Sequence, residues 1–156
     1  MAEPAFETAR DPREIHQRVL DVTGRALMTR EFDAFSAHFH LPQQVDSFDG
    51  LILVETPERL RQLFDGICTY YRDQGVTELV RTSLEASFQR PDKINCTHES
   101  RLLRGNTLVN APFCAFSVLI WTETGWKVSF SQYAIADAPV LNVALTGNTR
   151  SGAPTS

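Results

Sequence analysis

The chain has 156 residues, of which 42% are hydrophobic and 10% aromatic, and its 15 basic and 19 acidic side chains give a formal net charge of -4. That size and apolar content suit one domain with its own core and exclude a disordered chain or one that needs disulfide staples. The acidic balance and scattered arginines argue against a nucleic-acid partner, and no apolar run approaches the roughly 20 residues that span a bilayer.

Glu3 and Glu7 stand where a secretory leader carries cations, so the expected location is cytoplasmic, with no membrane association. Cys68, Cys96 and Cys114 form no C-x-x-C pair, which indicates neither a disulfide framework nor a zinc site. Residues 1–10 and 147–156 read as flexible ends around a single domain over 11–146.

The first predicted helix starts at Asp11-Pro12-Arg13-Glu14, where Asp11 suits the cap and Pro12 the first helical position. Ile15, Val19, Val22 and Ala26 recur on its inward arc, which His16, Leu20, Thr23 and Leu27 widen, with Glu14, Arg18, Asp21 and Arg25 opposite. A second helix, with Thr29 at its cap and Phe32, Phe35 and Phe39 on one stripe, is expected to stop at Leu41-Pro42. Strands at 45–48 and 51–55 flank the hairpin dipeptide Asp49-Gly50. Thr56-Pro57-Glu58 opens a third helix whose stripe of Leu60, Leu63, Phe64, Ile67, Tyr70 and Tyr71 runs to Gly75. Turn signals then divide the chain into four long strands, about 78–89, 93–104, 107–121 and 126–136, joined as an antiparallel meander. A last helical turn is expected from Asp137 to Leu145.

Alternation along the strands assigns their faces, provided that the turn at Pro91 is odd in length and that Pro112 introduces no shift. Val80, Thr82, Leu84, Ala86 and Phe88 are then inward on the first long strand. Across the Gly105-Asn106 turn and the pairing of Trp121 with Trp126, the inward set continues through His98, Phe113, Ala115, Trp126, Phe130 and Gln132. Lys127, Ser129, Ser131 and Tyr133 are outward by the same parity.

The order helix, helix, hairpin, helix, four-stranded meander resembles the nuclear transport factor 2-like superfamily, and within it the SnoaL-like branch. The carriers of the resemblance are Phe48-Asp49-Gly50, Thr56-Pro57-Glu58, Val76-Thr77-Glu78-Leu79-Val80 and Gly125-Trp126-Lys127-Val128 before Gln132-Tyr133. It implies an α+β cone, in which a curved antiparallel sheet wraps around three helices from the N-terminal half and leaves a conical pocket. It also implies a frequent homodimer through the sheet. Members with that fold are ketosteroid isomerases, polyketide cyclases, dehydratases or binding proteins without chemistry, so fold does not select the reaction.

His98 is the leading candidate for chemistry, because apolar neighbours would keep its imidazole neutral and able to accept or donate a proton. His16, on the inward arc of the first helix, is the second candidate, as its partner. The alternative is that both are core residues whose ring nitrogens find backbone or water partners. Tyr70, Leu84, Phe88, Phe113, Trp126, Phe130 and Gln132 are the expected pocket lining, for a small apolar or amphipathic molecule. The resemblance implies a catalytic carboxylate near the hairpin in the isomerases, but Asp46-Ser47-Phe48-Asp49 does not match their pattern and Ser47 holds the corresponding place. His38 and His40, two apart on a helix, would point away from each other and cannot chelate, so no metal and no cofactor is expected. Phe116, Val118 and Ile120 leave an apolar row on the outer sheet face, which a homodimer would cover.

Overall fold

The computed structural model describes residues 11–47 and 50–134. Three helices and seven strands make up this part of the chain, as an α+β cone with a curved, unclosed sheet. Helix α1 (Pro12–Thr29) starts as its sequence dictates, with the Asp11 carboxylate accepting from the Arg13 backbone N–H at 2.9 Å. Helix α3 (Pro57–Asp73) is capped in the same way by the Thr56 hydroxyl, which accepts from Arg59 N at 3.1 Å. Gly75 follows it with φ +70°, a left-handed conformation that glycine adopts without strain.

The second helix is shorter than its aromatic stripe predicts. Helix α2 spans only Phe32–Ser36, with Glu31 rather than Thr29 at its cap. Phe39 opens strand β1 (Phe39–Ser47), which runs through Pro42. Phe39, Leu41, Gln43 and Val45 alternate with exposed or less buried neighbours, so a period of two takes over where a period of three to four was expected. His38 therefore lies in the turn before β1 and His40 on the strand itself, not on a helix end.

Strand β1 pairs antiparallel with β2 (Gly50–Val54) and parallel with β7 (Gly125–Ala134), so the sheet is mixed rather than wholly antiparallel. Strands β3 (Glu78–Arg90), β4 (Lys93–Arg104), β6 (Phe113–Thr122) and β7 form the expected meander, giving the order β2-β1-β7-β6-β4-β3. The predicted third long strand is broken: a two-residue β5 (Thr107–Leu108) pairs with β4, and β6 begins at Phe113. The interruption shifts the register by two residues and leaves the parity intact, so Leu102, Ser100, His98, Phe113 and Ala115 are all buried as expected. The predicted turn at 137–145, both chain ends and the tip of the first hairpin lie outside the described residues.

Two β-bulges overturn the face assignment elsewhere. On β3, Ser83 pairs with His98 but Glu85 pairs with Thr97, so Leu84 is the extra residue. From there toward the start of β3 the inward set becomes Arg81 and Ser83 instead of Val80, Thr82 and Leu84, and Leu84 is 44% exposed. On β7, Val128 pairs with Leu119 but Phe130 pairs with Val118, so Ser129 is extra. Beyond it Ser131 and Tyr133 turn inward, while Phe130 meets Phe116 on the outer face at 6.2 Å between centroids and Gln132 is exposed.

Helix α1 fastens the bulged part of β3, which is an edge strand. The Gln17 side chain accepts from Ser83 N at 2.8 Å and donates to Arg81 O at 2.8 Å, and Arg13 donates twice to Ser83 O at 3.2 and 3.0 Å. Side chains thus satisfy backbone groups that a further strand would otherwise pair.

Two apolar clusters hold the cone. One gathers Leu27, Phe35, Val45, Leu60, Phe64 and Leu102 between helices and sheet; the other gathers Ile15, Val19, Ile94, Leu119 and Trp126. Between them runs a band of buried polar side chains, among them His16, Gln43, Ser83, His98, Ser117 and Ser131.

Candidate functional site

His98 sits at the middle of this band, 3% exposed, opposite Ala115 on β6 and Ser83 on β3. His16 reaches it from α1, with the two rings edge to face and their centroids 5.7 Å apart. His16 Nδ1 shares a 2.7 Å hydrogen bond with Ser83 Oγ, a contact that exists because the bulge at Leu84 turns Ser83 inward. His98 Nδ1 and His16 Nε2 are buried with no hydrogen-bond partner. Such atoms are costly, on the order of 1–3 kcal/mol each, and are rare in finished interiors.

Arg81 enters from β3 beside them. Its Nη1 donates to Thr23 Oγ1 at 2.9 Å and to Leu20 O at 3.3 Å. Its stem passes over Gly24, where a Cβ would stand 3.7 Å from Arg81 Cδ. Among the described residues no carboxylate pairs with this guanidinium. Gln43 arrives from β1 and Tyr133 from β7; the Gln43 amide donates to Ser131 Oγ at 3.4 Å, and its Oε1 is a further buried atom without a partner.

These side chains border two adjoining cavities of about 40 and 20 Å³, and Phe39, Arg81, His98 and Tyr133 line both. A water-sized group needs roughly 10–15 Å³, so the space suits a few waters or a very compact molecule. It is far below the roughly 300–1,000 Å³ of pockets that enclose larger ligands. A separate cleft of about 260 Å³ lies at the far end of the second apolar cluster, between Ile15, His38, Trp121 and Trp126.

Burial governs the electrostatics. Desolvation, reinforced by Arg81 and then by His16, pulls the His98 imidazole down to about 2. Desolvation and Arg81 together bring His16 to about 4. Both rings are therefore neutral at ordinary pH; His16 keeps one nitrogen without a hydrogen bond and His98 makes none among the described residues, so donor and acceptor roles follow the tautomer. Burial also raises the Tyr133 phenol, opposed by Arg81 and by the Ser131 hydroxyl. Tyr71, which lines the larger cavity, is raised in the same way.

Of the residues expected to line a pocket, Phe113 borders the larger cavity beside His98. Tyr70 lies outside it and receives a hydrogen bond from Asn110 at 3.1 Å; its neighbour Tyr71 faces the space. Phe88 and Trp126 pack together in the second apolar cluster, 6.2 Å between ring centroids, and Trp126 borders the separate cleft. Leu84, Phe130 and Gln132 are excluded by the bulges, and Gln132 donates to Asp46 at 3.2 Å.

Cys68 and Cys96 are buried, with Cys96 raised to about 12 by desolvation, while Cys114 is exposed. Among the described residues no three His, Cys, Asp or Glu side chains converge as a metal would need. Arg81, Ser83, Gln43 and Tyr133 were not singled out from the sequence. Only Gln43 leaves a signal there, as the polar member of the alternation Phe39, Leu41, Gln43, Val45.

No family model and no curated protein matches this sequence. Solved structures do. A nuclear transport factor 2-like protein with a cystatin-like fold from Novosphingobium aromaticivorans superposes with a TM-score of 0.63 at 15% identity, covering 93% of this chain and 98% of that one. A protein of unknown function with a cystatin-like fold from Nostoc punctiforme gives 0.61 at 14% identity, over 80% and 91% of the two chains. A candidate dehydratase of the nuclear transport factor 2-like family from Streptomyces avermitilis also gives 0.61 at 14% identity, over 80% and 95%. The chain thus has the nuclear transport factor 2-like, cystatin-like fold; at these identities the likeness carries no activity with it.

Proposed function

We propose that this domain binds a small molecule in the cavity beside His98 and moves a proton on it, in the manner of a cofactor-independent isomerase, cyclase or dehydratase. The observation that carries the reading is the unpartnered Nδ1 of His98, a residue 3% exposed that borders a cavity together with Arg81, Tyr133 and Phe113. A neutral imidazole offers an unprotonated nitrogen to a proton, and a bound anion would offset the depression that burial and Arg81 impose on it. His16 acts as the positioning partner, its ring held by Ser83. A polar lining of this kind narrows the expected ligand from a small apolar or amphipathic molecule to a compact polar one. Affiliation with the SnoaL-like branch fits the same reading.

The test is a small-metabolite screen by thermal shift, followed by NMR detection of solvent deuterium entering each bound compound. The reading requires exchange that His98→Asn slows by about 10²-fold or more while the dissociation constant changes little. Unchanged exchange in that variant removes His98 from the chemistry.

The small volume favours one competing reading, a binding or structural domain whose polar band holds only water. Binding with no exchange, or no binding at all, would select it. For the outer face we propose a homodimer, which would cover Phe116, Val118 and Ile120.

A further inference from the structure

We infer that the ligand of this cavity is a compact carboxylate bearing a hydroxyl group, held through its carboxylate by Arg81. The inference rests on the proposed role of the cavity as a ligand site and specifies what enters it. Arg81 spends one nitrogen on Thr23 and Leu20, and its Nε and Nη2 meet no acceptor among the described residues. It lines both cavities without a carboxylate partner, and a guanidinium fork is matched in shape and charge by a carboxylate.

Other orphans surround the same space and call for a hydroxyl. Gln43 Oε1, on a side chain 1% exposed, lacks a donor, and His98 Nδ1 lacks any partner. An apolar ligand would leave all of them unsatisfied, and a bare carboxylate would leave Gln43 facing a second acceptor. A hydroxyl donates to one and accepts from the other. The two cavities together hold about four to six water-sized groups, a range that includes a two-carbon hydroxy acid such as glycolate. No carboxylate among the charged and titratable groups facing His98 competes for Arg81: they are His16 from α1, Tyr71 from α3, Arg81 from β3 and Tyr133 from β7.

The test is an NMR titration of the full chain, following the imidazole nitrogens of His16 and His98 at constant ionic strength. The probes are glycolate, its neutral isostere glycolamide, and acetate. Glycolate is expected to shift both rings saturably, glycolamide to have no comparable effect, and acetate to bind several-fold more weakly. Arg81→Gln is expected to weaken glycolate by about tenfold or more. If that variant does not fold, the comparison of glycolate with glycolamide on the native chain decides the matter.

Equal binding of glycolate and glycolamide, or no saturable shift with glycolate, overturns the inference. Acetate as strong as glycolate removes the hydroxyl. A neutral compound found to occupy the cavity in preference to glycolate overturns the inference and leaves the ligand site standing. Glycolate, which can be neither dehydrated nor cyclised, tests the inference alone; deuterium exchange in the compounds found by the metabolite screen tests the catalytic reading.

Discussion

His16 and His98 face each other edge to face with their ring centroids 5.7 Å apart, yet only His16 is hydrogen-bonded, through Nδ1 to Ser83 at 2.7 Å. The difference predicts unequal responses to the same replacement. His98→Leu removes a ring with an unpartnered buried nitrogen and is expected to leave stability within about 1 kcal/mol or to raise it. His16→Leu strands the Ser83 hydroxyl and is expected to cost about 1–3 kcal/mol. Urea unfolding of the two variants checks this, and equal losses would mean that both rings serve packing alone.

The pair also sets an acid limit on stability. Folding lowers both imidazoles from 6.5, His16 to about 4 and His98 to about 2. Below pH 6.5 the unfolded chain therefore takes up protons that the folded one refuses, so stability falls with pH until the folded rings also titrate. Each ring contributes a slope of about 1.4 kcal/mol per pH unit across its window. The expected loss begins near pH 6.5 and persists at pH 4.5. It should be shallower in His98→Leu, and a flat profile between those values would contradict the burial of both rings.

Gln17 and the backbone of β3 make a second, independent point of control. Gln17→Ala removes the acceptor for Ser83 N and the donor to Arg81 O, and is expected to cost about 1–3 kcal/mol by denaturant unfolding. Asp21→Ala, which alters only the exposed end of the same side-chain network, should stay within about 0.5 kcal/mol.

The outer face carries the proposed dimer. Phe130, turned outward by the bulge at Ser129, stands opposite Val118 and extends the apolar row of Phe116, Val118 and Ile120. Light scattering at micromolar concentration is expected to give twice the chain mass, and Val118→Lys to return it to the chain mass without loss of secondary structure. A native monomer would refute the proposal.

The amphipathic helices, the caps at Asp11 and Thr56, and the meander were legible because each rests on local chemistry or on a period that the sequence displays. His98 was placed correctly because β4 and β6 keep their alternation, and even the break after Leu108 shifted them by an even number. The rest failed where one residue is inserted. Leu84 and Ser129 are ordinary strand residues, and nothing in their identity marks them as bulged. Yet these insertions exchange Thr82 for Arg81 and Ser83, and Phe130 for Ser131 and Tyr133, on the inner face. The expected apolar hollow becomes a polar one by that exchange. Helix α2 was overextended for a related reason: Phe39 fits the helical stripe of Phe32 and Phe35 as well as it fits the strand that it begins.

The ionisation of His98 decides the account most directly. Two-dimensional NMR of the ring nitrogens, recorded across pH 7 to 4, is predicted to find His98 neutral throughout and insensitive to pH, as its depression to about 2 requires. A titration centred near 6.5 would place the ring in water and remove the polar cavity on which the proposed function depends.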